Sequence, residues 1–347
     1  MGSLAQRIQS EGQMTSDEQE QVWKLFFPEA ARRQAKIQEN GVRFVHYTSA
    51  AAGLAILRSG RMLLRNSLLM NDFSEVEYGR NCLFTAYRGP TGDRLKAIMR
   101  TIQVDLPEIL ESNFDAMFLD VRNETYLVAI SEHGNQEFGD ELEDRFGRLS
   151  MWRAYASKNG VAFVFNNRPF MTESNVLNAF TSPVTYATPD TFTCKFDELV
   201  VGLENNIALL KKHMSGSYFH DCLISAFRFA TQSTKHPAFS EEREWRVIYS
   251  PTILQRGGEM TPEQLIKIPT EIMDLNGVPQ RTYAIPFKDY PDEGFIGATV
   301  PDLVDRVLIG PTLDAYAIAQ AYVAELTGQG VSHAHEKVVI TGVPLRV

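Results

Sequence analysis

Apolar and polar positions recur with two different periods along this chain, and the changeovers mark its elements. Ser16, with Gln19 three residues on, makes a capping box for a helix through Phe27. A second helix starts at Pro28 and stops at Asn40-Gly41, a left-handed end. Val42 to Thr48 is β-branched and aromatic, which predicts a strand. Ser49 then caps a short helix, Ala50 to Ser59, closed by Gly60, and Met62 to Leu64 reads as a second short strand. Asn71-Asp72 is a turn and cap opening a helix towards Tyr87. The Gly89-Pro90-Thr91-Gly92 loop leads into helical sequence as far as Phe118.

Thr125 to Ser131 is an apolar run of strand length, and the acidic stretch Glu132 to Asp144 after it has the composition of a loop or lid. Leu149 to Ala156 reads as a helix, Asn159-Gly160 as a turn and Val161 to Phe165 as a buried strand. Leu199, Leu203, Ile207 and Leu210 give Phe196 to Lys212 helical spacing, and Cys222 to Ala230 is helical too. Strands follow at Trp245 to Tyr249 and Tyr283 to Phe287. The chain closes on strand, helix and strand: Val304 to Ile309, Thr312 to Thr327 and Lys337 to Thr341. Strands bracket the chain and helices fill its middle, the order of an α+β fold. No Pro-, Ser- or Gly-rich linker divides it, so a single domain over 42–347 with a helical extension over 1–41 is expected.

Composition narrows the function classes. The chain has 347 residues, 44% hydrophobic and 22% charged, enough for a sizeable core. Its net charge of −9 argues against broad, sequence-independent nucleic-acid binding, which rests on neutralising phosphates, but leaves room for a local basic cleft. Cys82, Cys194 and Cys222 form no Cys-x-x-Cys pair, so a reducing, cytoplasmic setting is expected. Met1 to Gln19 is polar and lacks the apolar centre of a signal peptide. No stretch approaches the roughly 18 to 20 apolar residues that span a bilayer, so no membrane partner is expected.

Four groups of residues carry candidate chemistry. His46 interrupts an apolar strand and shares a face with Phe44 and Thr48, while Val45 and Tyr47 point the other way. A satisfied structural histidine fits that pattern; so does a ligand-binding one, because Thr48-Ser49 brings hydroxyls and free N–H groups to a helix start. In Glu242-Arg243-Glu244-Trp245-Arg246, the two carboxylates are two residues apart and point to one side of an extended backbone. Paired carboxylates can divide their work, one stabilising a developing cation and the other orienting a nucleophile; they also serve as an edge-strand charge pattern. Met70-Asn71-Asp72-Phe73-Ser74-Glu75 is a polar cap with an acid on the next turn. Trp152 and Tyr155 share a helical face, either as core or as an aromatic wall for a planar ring. His220-Asp221 and His333-Ala334-His335 lack further ligands at metal spacing, so no metal is expected. Gly-x-Gly-x-x-Gly, the P-loop motif and the Gly-x-Ser-x-Gly elbow are all missing.

FVHYTS with its Ala-x-x-Ile-Leu-x-x-Gly helix, LLMNDFSE, MWRAYASKNGVAFVF, KHPAFSEEREWRVIY and RVLIGP resemble, in this order from about Val42 onward, a widespread bacterial family of uncharacterised function. That family in turn resembles distant ADP-ribosyltransferases of the poly-ADP-ribose polymerase and diphtheria-toxin group. The resemblance implies a split β-sheet core with helical insertions and NAD as co-substrate. It implies that His46 binds the nicotinamide ribose, that Glu244 is the catalytic acid and that Glu242 faces the acceptor. Tyr78, Tyr126 and Tyr155 compete for the tyrosine that stacks on nicotinamide, with Tyr155 beside Trp152 preferred. Tyr47, Thr48, Ser49, Asn71, Ser131 and Arg246 complete the implied NAD contacts, Arg246 either on the pyrophosphate or holding Glu244. The implied reaction is transfer to a nucleic acid or protein acceptor, as in toxins and phage-defence effectors, with a neutralising antitoxin as a further partner. NAD hydrolysis and non-catalytic ligand binding on the same fold are the alternatives.

Overall fold

Period-two alternation in the β-rich segments produces one large sheet, and that sheet forks. The computed structural model describes residues 14–70, 75–134, 141–156, 158–256, 258, 260–275 and 277–344. Its strands are β1 (Arg43–Ser49), β2 (Arg61–Asn66), β3 (Tyr126–His133), β4 (Gly160–Phe165), β5 (Phe180–Pro183), β6 (Thr185–Tyr186), β7 (Thr234–Lys235), β8 (Glu244–Tyr249), β9 (Thr270–Leu275), β10 (Val278–Pro286), β11 (Val304–Ile309) and β12 (Val338–Ile340). All but the parallel pair β6–β7 join a single sheet of ten strands.

β3 is where the sheet divides. One of its edges pairs with β8, from Tyr126 opposite Tyr249 to Ser131 opposite Glu244, and β5 lies beyond β8. Two strands share the other edge: β1 takes one end, with Val45 opposite Ser131, and β2 takes the other, with Arg65 opposite Leu127. One arm continues from β1 through β4, β11 and β12, the other from β2 through β10 and β9. Between the two attachments, Val128, Ala129 and Ile130 have no strand partner on that edge among the described residues.

Cross-strand partners share a face, so the register sorts the side chains. Phe44, Val128, Ile130, Phe163, Phe165, Trp245, Val247 and Tyr249 pack into the main core. Val45, Tyr47, Ala162, Val164 and Leu308 face the other way.

The helices are α1 (Ser16–Phe26), α2 (Pro28–Glu39), α3 (Ala50–Ser59), α4 (Glu75–Tyr87), α5 (Pro90–Ile102), α6 (Leu106–Asn123), α7 (Glu141–Phe146), α8 (Leu149–Tyr155), α9 (Pro189–Asn205), α10 (Ile207–His213), α11 (Gly216–Gln232) and shorter or later ones, including Ala315–Gly328. A second core joins Phe26, Leu83, Leu95, Phe114, Phe196, Phe219 and Phe227. Phe26 of α1 packs edge-on against Phe219 of α11 at 5.4 Å, so the first helix belongs to this helical layer. The fold is α+β.

Several boundaries differ from the sequence reading. The first capping box is Thr15 with Glu18, one residue earlier. Gly89 caps α5 directly, and Gly92 lies inside that helix, where any Cβ would collide with the Tyr87 carbonyl. Glu132 and His133 extend β3, and Glu141–Phe146 is helical, so these parts of the acidic stretch are not loop. Phe196 to Lys212 is broken into α9 and α10. The Asn71-Asp72 cap lies outside the described residues.

Candidate active site

The entry to β8 is built on a left-handed residue. Pro237–Glu242 is a 3₁₀ turn closed by Arg243 at φ 43°, and the strand starts at Glu244. Glu242 and Glu244 are therefore not successive outward positions of one extended strand. The kink still brings both carboxylates to Lys235: its Nζ lies 2.7 Å from Glu242 Oε2 and 3.2 Å from Glu244 Oε2. A third carboxylate arrives from the helical layer, Glu75 Oε1 at 3.0 Å from the same Nζ. Arg246 donates from Nε to Glu244 Oε1 at 2.8 Å, from Nη1 to the Gln232 carbonyl at 2.6 Å and from Nη2 to Glu75. The Tyr155 hydroxyl donates to Glu242 Oε1 at 2.7 Å, and the Glu244 backbone N–H donates to the Tyr186 hydroxyl at 2.8 Å.

This cluster is deeply set. Glu244 and Lys235 are each 5% exposed and Arg246 1%, while Glu242, Tyr155 and Tyr186 form a half-buried rim. Three carboxylates face two cations, so burial cannot favour full ionisation of all three. Burial alone would raise the Glu244 carboxyl, but Arg246 and Lys235 outweigh it and hold the group below its ordinary value. For Glu75, burial prevails over Arg246 and, reinforced by the neighbouring Glu244 charge, raises the carboxyl. Burial opposes the Lys235 charge, yet Glu244, Glu75 and Glu242 together raise its affinity for the proton. Two acids of one type are thus driven apart, Glu244 towards the ionised form and Glu75 towards the protonated one.

A second network fixes the frame. Arg148 donates to the carbonyls of Glu241 at 2.7 Å, Glu242 at 3.0 Å and Glu132 at 3.0 Å, and to Glu143 at 2.6 Å. It ties the turn carrying Glu242 to the end of β3. Asp144 of α7 accepts from His133 at 3.1 Å, from Arg306 at 2.7 Å and from Arg43.

His46 sits at the fork. Its Nδ1 lies 3.0 Å from the carbonyl of Ala129, one of the β3 residues left without a strand partner on that edge. A carbonyl can only accept, so Nδ1 carries the proton and Nε2 keeps its lone pair. Burial lowers the ring's proton affinity despite this bond. The backbone at Val45, one residue away, is separated from Glu244 by two inter-strand steps through Ser131, about 10 Å. The side chains nonetheless diverge: His46 is paired with Phe163 on the main-core face, while Glu244 shares the face of Ser131 and Val45. The register thus sets His46 and Glu244, expected to act together at the nicotinamide ribose, on opposite faces of the sheet.

Other expected contacts are reassigned by their surroundings. Trp152 is 0% exposed, donates from Nε1 to the Phe146 carbonyl and stands edge-on to Tyr47 at 4.8 Å, so it is core rather than an exposed wall. The Tyr47 hydroxyl accepts from the Arg148 backbone N–H. Ser49 Oγ caps α3 through the Ala52 N–H, and Thr48 is half-buried on the His46 face. Arg246 gives four of its five N–H donors to Glu244, Glu75 and the Gln232 carbonyl, which fits the holding role. Ser131 is buried opposite Glu244. Asn71 lies outside the described residues.

Lys235 was missed by sequence reading, and Glu75 was noted only as an acid after a cap. No periodic signal marks Lys235; its hint is that it opens the KHPAFSEEREWRVIY motif, nine residues before Glu244. Among the described residues no group of three or more His, Cys, Asp and Glu is arranged to hold a metal ion. Nor is any described helix long and apolar enough to cross a membrane.

Residues 151–247 match the model of a family described as Protein of unknown function (DUF2971). The matched stretch runs from α8 through β8 and contains Tyr155, Lys235, Glu242, Glu244 and Arg246. No curated protein and no solved structure matches the chain.

Proposed function

We propose that this chain is an NAD-dependent ADP-ribosyltransferase that modifies a macromolecular acceptor, nucleic acid or protein. The observation that carries the reading is Glu244: a carboxylate held ionised by Arg246 and Lys235, beside a second carboxylate on Glu242 that reaches the half-buried rim. Cleavage of the nicotinamide–ribose bond passes through an oxocarbenium-like state. A fixed negative group whose partners are already in place stabilises that positive charge without reorganising. Glu244 needs no nucleophilic role for this. Glu242, beside Tyr155 on the half-buried rim, orients the acceptor and takes its proton. His46, Ser131 and Glu244 lie on the neighbouring strands β1, β3 and β8. His46 supports the site by fastening β1 to β3 at the fork.

The test is incubation of the chain with labelled NAD and cell lysate, followed by separation of macromolecules from free ADP-ribose. Label on a macromolecule, lost in Glu244→Gln, is the expected result; no NAD consumption at any pH sinks the reading. A second reading, a non-catalytic NAD-binding module, draws on the closed state of the cluster, in which both Glu244 oxygens already rest on the chain's own cations. Calorimetric binding of NAD without turnover favours it.

A further inference from the structure

Lys235 links the acidic cluster, because its ammonium bridges carboxylates from two elements, Glu242 at the entry to β8 and Glu75 on α4. Glu242 Oε2 lies 2.7 Å from Nζ on the rim side and Glu75 Oε1 3.0 Å from it on the side of α4. Transfer to an acceptor releases a proton that must leave the reacting atoms, and Glu242, beside Tyr155 on the rim, is the first carboxylate to meet it. Left there, the proton would neutralise the carboxylate that orients the next acceptor. We propose, resting on the ADP-ribosyltransferase reading, that Glu242, Lys235 and Glu75 form a proton relay in which Glu75 is the terminal acceptor.

The step balances. The C1′–N bond of NAD breaks with its electron pair going to neutral nicotinamide, and the acceptor's heteroatom forms the new bond to C1′. That heteroatom's proton passes to Glu242, which hands it to Lys235 as Lys235 releases another to Glu75 Oε1. Once product leaves, the same steps run backwards and Glu242 gives the proton to solvent at the rim, so Glu75 is ionised again for the next acceptor. Lys235 is an ammonium before and after, in keeping with the three carboxylates that raise its proton affinity. Among the described residues, the charged groups facing Glu75 are Lys235 from β7 and Arg246 and Glu244 from β8. Glu244 is unsuited to end the relay, since Arg246 and Lys235 overcome the effect of burial and keep it ionised. Glu75 is suited, because burial and the Glu244 charge both make a proton welcome there. One proton on Glu75 also brings the cluster's charges to balance, two carboxylates against two cations.

The test is an infrared difference titration of the full chain without NAD, in wild type, Glu75→Gln and Glu75→Asp. The expected result is a protonated-carboxyl C=O band in wild type on mild acidification, lost in Glu75→Gln and moved in frequency in Glu75→Asp. The same band in all three variants overturns the proposal; should Glu75→Gln fail to fold, an unmoved band in Glu75→Asp overturns it alone. In the transfer assay, Glu75→Gln is expected to slow acceptor modification about a hundredfold, the scale of a lost proton-transfer group, and Glu75→Asp to restore part of it. Absence of NAD consumption in wild type would defeat the transferase reading, and the infrared band separately decides where the proton sits.

Discussion

The two sides of β8 are equally buried and chemically opposite. Trp245, Val247 and Tyr249 are at most 7% exposed and join the apolar core, with Trp245 edge-on to Phe44 at 5.4 Å. Glu244 and Arg246, at 5% and 1%, face Lys235 and Glu75 instead. A buried ion cluster contributes no more to stability than well-packed apolar residues of the same shape, and often less. Packing therefore accounts for the first row and gives no reason for the second. A row of paired charges maintained at that cost, opening on a half-buried tyrosine and carboxylate, is the part of the strand to which chemistry is assigned.

Mutations on the two rows should separate stability from activity. Trp245→Ala removes a fully buried indole and its Nε1 bond to Glu132 at 2.7 Å. It should cost about 3–5 kcal/mol in denaturant unfolding. Arg246→Met strands Glu244 and Glu75 with Lys235 as the one shared cation, and should cost about 3–5 kcal/mol by the same measurement. The double variant Glu244→Gln with Arg246→Met should be the more stable of the two Arg246 variants, because the orphaned charge is gone. Equal stabilities would mean that the pair is not coupled. Glu244→Gln alone should lower the unfolding midpoint, by less than Arg246→Met because Glu75 and Glu242 still pair both cations, while transfer falls by about 10²–10³, the scale of a lost electrostatic stabiliser.

Acid titration sharpens the contrast within the charged row. A carboxyl held low in the fold, such as Glu244, adds stability above its ordinary value of 4.5 that is lost as pH falls through the lowered value. A carboxyl held high, such as Glu75, does the reverse: the fold binds its proton more tightly than the unfolded chain does, so stability declines as pH rises through the raised range. Glu75→Gln should abolish that decline above pH 4.5, and unfolding midpoints across the acid range measure it. An unchanged pH dependence would show that Glu75 titrates alike in both states.

Much of this architecture was legible in the chain. β1, β4 and β8 carry dense β-branched and aromatic runs, and the helical stretches show their spacing and caps. The β9–β10 hairpin was read only at its end, because β9 alternates exposed and half-buried positions with Glu271 and Asp274 among them and buries little apolar surface. The fork was invisible for a different reason: two strands sharing one edge of β3 is a matter of pairing, which side-chain periodicity does not encode. The Glu242-x-Glu244 spacing predicts two carboxylates on one side for a reason that fails locally, since Arg243 is left-handed and Lys235, distant in pattern, makes the carboxylates converge. Charge pairs across elements have no period to read.

His46 offers the smallest effect and the finest distinction. Its Nδ1–H bond to Ala129 is a single neutral hydrogen bond, so His46→Ala should cost about 1 kcal/mol at neutral pH. Burial lowers the ring's proton affinity, so below the ordinary value of 6.5 the unfolded chain takes up a proton before the fold does, and stability falls as pH drops. Removing the ring should remove that loss, so the gap between variant and wild type narrows on acidification. If the ring serves as a fastener, amide exchange at Val128 to Ser131 should quicken in the variant while the KM for NAD stays near wild type. A raised KM with unchanged exchange would instead put Nε2 on the ligand, and the two faces of the fork would then have to meet across the unpaired stretch of β3.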